Sequence, residues 1–234
     1  LEGKGGDNLL KVQGSFRATL GGYFEKRMSI PFEKPDFANM PLADFITIPV
    51  KYNANIPSNI NLLCGDPILE LQSNAVSTLA NTQIPGVNTW IRVIDWIKDL
   101  ISSSNEYDIC FVDTNPSFSI YTQMSIAASN KLILPVMADD SSRRAIMNAF
   151  SLIYSLKLPS EIYTAYAFKT KLENESRPLP KIHLIVKNRI TQYMTDASAY
   201  NAVLVSIESE ISNLMNNQMK DNFTFSNIED GVVS

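Results

Sequence analysis

Short runs of apolar residues, hardly interrupted by polar ones and separated by stretches of helical periodicity, limit most how this chain can fold. Tyr107-Asp108-Ile109-Cys110-Phe111-Val112 is one run, Lys131-Leu132-Ile133-Leu134-Pro135-Val136 a second, and Ile182-His183-Leu184-Ile185-Val186 a third. A strand with one wet face alternates apolar and polar side chains, whereas a strand that is apolar throughout has to be covered on both faces. Ile60-Asn61-Leu62-Leu63-Cys64 reads as a further strand, turning at Gly65-Asp66-Pro67.

The segments between these runs carry helical spacing. Residues 88–104 repeat Ile91, Ile94, Ile97 and Leu100 on one face, with Trp90 near the start. Residues 119–129 are rich in Ala, Met and Ile. Asp139-Asp140-Ser141-Ser142 supplies N-cap chemistry for a helix through Leu156, and Ile146, Ala149, Phe150, Ile153 and Tyr154 form its apolar stripe. A long helix is expected over 196–216. Strands that alternate with helices in this way predict an α/β fold, a doubly wound and mostly parallel sheet with helices on both faces. The expectation is one domain over 1–234, with the Pro-rich stretch 31–57 and the stretch 169–180 as loops or insertions.

Composition enters at two points. Apolar residues make up 45% and charged residues 19% of the 234, enough for a sizeable core. The formal net charge of −4 gives the surface as a whole no pull on nucleic acid, so DNA binding would need a local basic patch. Cys64 and Cys110 stand alone in apolar runs, without the spacing of a metal site, and read as buried free thiols of a reducing compartment. No run approaches the roughly 18 apolar residues of a membrane span, and no secretory signal is evident. A cytoplasmic protein without membrane contact is expected.

Ligands of open parallel sheets sit at the carboxyl ends of the strands. Asp113 stands at such an end, after four apolar residues. A carboxylate there is costly unless donors or a metal hold it, and Mg²⁺-assisted nucleotide hydrolysis is the chemistry that fits. The competing reading is an Asp that caps the next turn.

The wider string, residues 107–117 with Asp113-Thr114-Asn115-Pro116-Ser117 at its end, resembles the Walker B region of the ParA/MinD family of P-loop ATPases. The likeness continues through the Ala-rich helix to Leu132-Ile133-Leu134-Pro135-Val136 and the helix start at Ser141. Upstream, Asn61-Leu62-Leu63-Cys64-Gly65-Asp66 is similar to a strand and turn of that family. Downstream, Val186-Lys187-Asn188-Arg189 is similar to the segment that lies beside the adenine. The resemblance spans roughly 60–190 and implies a P-loop NTPase-type fold, with ATP and Mg²⁺ as cofactors. It makes Asp113 the magnesium ligand and a catalytic residue. Pro135 would be a wall of the adenine pocket, and Asn188 either an adenine contact or an ordinary turn residue.

The phosphate loop departs from the family pattern K-G-G-x-G-K-S/T. Lys4-Gly5-Gly6 matches its first three positions, and Asp7-Asn8 then leads straight into Leu9-Leu10-Lys11-Val12. That run and Gln13-Gly14-Ser15 resemble the family's second strand and the tail of the motif after it. Two parallel strands need a crossover of a dozen or more residues. Either residues between Gly6 and Leu9 are missing from this chain, or the relative is truncated and degenerate. The first is the expectation, and an appended tail is the alternative reading of Gly3-Lys4-Gly5-Gly6. By resemblance, Lys4 is the signature lysine that reaches a partner's nucleotide, and Gly5 and Gly6 line the phosphates. The end, Asp230-Gly231-Val232-Val233-Ser234, reads as cut short before a last strand and helix.

The family likeness implies an ATP-dependent homodimer that segregates plasmid or chromosomal DNA. It would bind DNA non-specifically in the ATP state and work with a centromere-binding, ParB-like adaptor. A non-catalytic scaffold of the same fold is the alternative. A MinD-like membrane-positioning ATPase is the other, although residues 223–234 lack the basic amphipathic helix it calls for. Arg143 and Arg144, on the first turn of a helix where positive charge opposes the dipole, suggest an anionic partner, a dimer contact or a solvated face. Lys169, Lys171, Arg177 and Lys181 read as a polar loop more readily than a DNA contact. His183 reads as a packed or edge histidine, and Trp90 and Trp96 as core residues.

Overall fold

A computed structural model describes residues 17–115, 117–137, 139–188, 197–217 and 219–233. The chain divides into two compact units, Leu1–Ala128 and Ser129–Ser234. The architecture is mixed α/β, with helices and one three-stranded parallel sheet among the described residues. No helix of the described residues is long and apolar enough to cross a membrane.

The first unit is built from helices: α1 (Leu20–Met28), α2 (Ile68–Asn81), α3 (Thr89–Ile94), α4 (Trp96–Ser102) and α5 (Ile120–Ala128). Thr19 caps α1 by accepting from the Gly22 N–H, and Asn88 caps α3 by accepting from the Ile91 N–H. The helix expected over 88–104 is present but interrupted at Asp95, whose ψ of −3° breaks the helical path between α3 and α4. Its apolar stripe is nonetheless the core: Val93, Ile94 and Trp96 are fully buried, and Leu100 nearly so.

Trp96 ties this core together. Its ring meets Phe24 edge-on at 5.6 Å, and its indole N–H donates to the Pro31 carbonyl at 3.0 Å. The Tyr23 hydroxyl donates to the Trp96 carbonyl at 2.7 Å. The Arg27 guanidinium lies 5.3 Å from the Trp96 ring centre and donates to Asp99 at 3.3 Å. The stretch 31–57, expected as a loop, contributes buried Met40 and Phe45, and Thr47 pairs with Leu62 in an isolated antiparallel bridge. Met40 and Phe45 bring it into the core although its prolines hide any period. The strand expected over 60–64 is reduced to that bridge.

The run 107–112 differs most from expectation. It forms no strand, Ile109 and Phe111 are 71% and 80% exposed, and Cys110 is exposed where a buried thiol was expected. Apolar, β-favouring residues become a strand only when a neighbour takes up their backbone groups, and no described segment pairs with this one. Cys64 is buried as expected.

The second unit holds the sheet. β1 (Lys131–Val136) pairs in parallel with β2 (Lys181–Lys187), which pairs in parallel with β3 (Val232–Val233). Between β1 and β2 run α6 (Asp140–Tyr154) and α7 (Phe168–Asn174), and α8 (Ala197–Asn217) follows β2. The β1–β2 register shifts between Leu132 and Ile133, so Lys131 faces Lys181 while Val136 faces Lys187. The Asn130 carbonyl accepts from Lys181 of β2 and the Val136 carbonyl from Asn188 just past it, so alternation along β1 turns the odd positions, Pro135 included, to the outer edge. Proline suits an edge because it has no N–H to leave unpaired.

Asp139 caps α6, accepting from the Ser142 N–H at 2.6 Å. The helix stops at Tyr154 rather than Leu156 because Ser155 turns left-handed, at φ 60°. Ile146, Phe150, Ile153 and Tyr154 are buried on its expected stripe. α7 occupies part of the stretch expected as a loop; Phe168 and Leu172, four apart and buried, anchor it. Ile182 and Ile185 of β2 are fully buried.

Two substitutions test this packing. Phe150→Ala should lower the unfolding free energy by about 3–5 kcal/mol, and half-exposed Leu152→Ala by less than about 1 kcal/mol, in urea titrations. At Gly22 an added Cβ would come 2.1 Å from the Arg17 carbonyl oxygen, a backbone atom with little room to give. Gly22→Ala gains about 1 kcal/mol of helix propensity and should still be a net loss, because such overpacking costs about 1–3 kcal/mol.

Candidate functional site

The residues singled out by the sequence fall in three places. Lys4, Gly5 and Gly6 lie outside the described residues, as do Leu9–Ser15 and Arg189. Asp113 belongs to the first unit. Pro135 and Asn188 belong to the second.

Pro135 and Asn188 come together at the carboxyl end of the β1–β2 pair. Pro135 stands opposite Val186, and the Asn188 N–H donates to the Val136 carbonyl at 2.7 Å, extending the ladder one step past β2. The Asn188 residue is exposed there. The α6 N-terminus begins just beyond β1, where the Met137 N–H donates to the Ser142 hydroxyl at 3.1 Å. This edge is the place where parallel sheets hold ligands. It carries two ion pairs to α8: Lys187 with Glu208 at 2.5 Å and Arg143 with Glu210 at 2.8 Å. Both pairs are partly exposed, so each is worth about 0–1 kcal/mol. Arg143, unfavourable beside the α6 dipole, is compensated by Glu210.

Asp113 stands differently. It is exposed, on chain that no described strand supports, with Thr114 and Asn115 exposed beside it. Among the described residues no group of three or more His, Cys, Asp or Glu could hold a metal ion. Mg²⁺ in nucleotide sites is held by one or two carboxylates together with water and the substrate phosphates, and Asp113 is the carboxylate that the motif offers for it. The following turn is organised around α5: the Thr122 hydroxyl donates to the Ser117 carbonyl at 2.6 Å.

Lys169 pairs with Glu173 one helical turn on, at 3.8 Å, and burial lowers the Lys171 pKa. His183, on the middle strand of the sheet, has Nδ1 2.8 Å from the Thr224 hydroxyl. Trp90 and Trp96 are core residues.

The first unit also holds a buried charged group, centred on Asp66, that is not among the predicted site residues. The Asp66 carboxylate, with its side chain 4% exposed, receives Arg17 Nη1 at 2.6 and 2.7 Å, the Thr19 hydroxyl at 2.9 Å and the Ile68 N–H at 3.0 Å. Burial alone would raise its pKa; the Ile68 N–H, Arg17 and Thr19 outweigh burial and hold it below the ordinary value. Asp66 thus joins the start of α1 to the start of α2. In the sequence Asp66 stands only in a turn after an apolar run, with nothing to link it to Arg17.

No protein-family model matches the chain, and no curated protein or solved structure matches it.

A carboxyl group whose folded pKa is depressed stabilises fully above its unfolded value, and that stability is lost as pH falls through the folded value. Urea midpoints should therefore drop below about pH 4. Asp66→Asn should flatten that acid limb while costing about 1–3 kcal/mol at pH 7. An acid limb of unchanged steepness in the variant would remove Asp66 from the account.

Proposed function

We propose that this chain is a ParA-like P-loop ATPase with a doubly wound, mostly parallel sheet, which binds ATP and Mg²⁺ in a homodimer and serves plasmid or chromosome partition. The observation that carries the reading is the carboxyl edge of β1 and β2. Pro135 on β1 and Asn188 one residue past β2, both residues of the family-like motifs, stand there, with the start of α6 following β1. The order of the motifs from Asn61 to Asn188 adds to it. In this reading Asn188 contacts the base and Pro135 walls the pocket. Lys4, Gly5 and Gly6 meet the phosphates, and Asp113 turns to the metal once the run before it is paired as a strand. Non-specific DNA and a ParB-like adaptor are the partners, in a cytoplasmic setting.

A second reading, a scaffold of the same fold without nucleotide turnover, is favoured by one observation: Asp113 is exposed beyond an unpaired run.

Titration calorimetry with ATP, with and without Mg²⁺, separates the two. The ATPase should bind more tightly with the ion, and Asp113→Ala should erase that difference. Asn188→Ala should weaken binding roughly 3- to 10-fold in either condition, the effect of one hydrogen bond. Binding that ignores both Mg²⁺ and Asp113→Ala would favour the scaffold.

Dimerisation gives a further check. Nucleotide shifts a monomer–dimer balance only if it contacts the dimer better than the monomer. A slowly hydrolysed ATP analogue should accordingly move the protein to an earlier elution volume in size-exclusion chromatography. An unchanged volume at saturating analogue would count against the dimer cycle.

A further inference from the structure

We draw no further inference here: the strongest candidate, the exposed apolar strip of the first unit that carries Ile109 and Phe111 on unpaired chain, has nothing in the structure to show what covers it.

Discussion

The second unit depends on β2 being paired along both edges. Its backbone groups are taken up by β1 on one side and by β3 on the other, and its buried Ile182 and Ile185 give the helices something to pack on. Parallel strands cannot be joined by a tight turn, so α6, α7 and α8 follow from the pairing: each crossover must travel back along the sheet. The apolar stripe of α6 and the inner face of α8, with Ile207 and Ile211 buried, satisfy the same requirement. The ion pairs Lys187–Glu208 and Arg143–Glu210 fasten the far end of this arrangement but do not create it. Exposed pairs contribute little beside several buried aliphatic side chains, each worth about 1.5–3 kcal/mol.

In the first unit the corresponding role falls to a side chain. Trp96 follows the interruption at Asp95, and this break lets α3 and α4 present tryptophans and isoleucines to different neighbours. Arg27 is nearly fully buried against the Trp96 ring, an arrangement that costs solvation of the charge. The Asp99 carboxylate and the Glu33 carbonyl offset part of that cost. Burial pushes the Asp99 pKa up more strongly than Arg27 pulls it down, and the Arg27–Asp99 contact at 3.3 Å is longer than the 2.6 Å of Arg17 with Asp66.

The sequence was most informative where a single helix or strand could satisfy its own pattern. The stripe Ile146, Phe150, Ile153 and Tyr154, the cap at Asp139 and the runs that became β1 and β2 were all readable, because periodicity and capping are local. The stop at Ser155 was not, since a left-handed serine carries no signature of its own. The stretch 31–57 is the expected loop apart from two short 3₁₀ helices, but its buried residues and the helix in 169–180 stayed hidden for a related reason. Phe45, Phe168 and Leu172 are isolated apolar residues, and only a tertiary partner makes such a residue part of a core. Pro135 and Asn188 could be placed near one end of the sheet because the runs that lead to them pair as β1 and β2. The Asp66 network was illegible because it joins residues 49 apart along the chain.

The contrast between the runs 107–112 and 131–136 shows where the functional argument meets its physical condition. Both have the composition of a buried strand, and only the second has a described neighbour to pair with. Composition sets what a segment gains from burial, whereas pairing sets whether its backbone can be buried at all. A strand-end aspartate acquires its chemistry from the ladder behind it, which fixes the carboxylate and removes competing water. Without that ladder Asp113 is an exposed acid on irregular chain. The ATPase reading thus requires a backbone partner for 107–112, while the scaffold reading requires none, and the two differ first in folding and only then in catalysis.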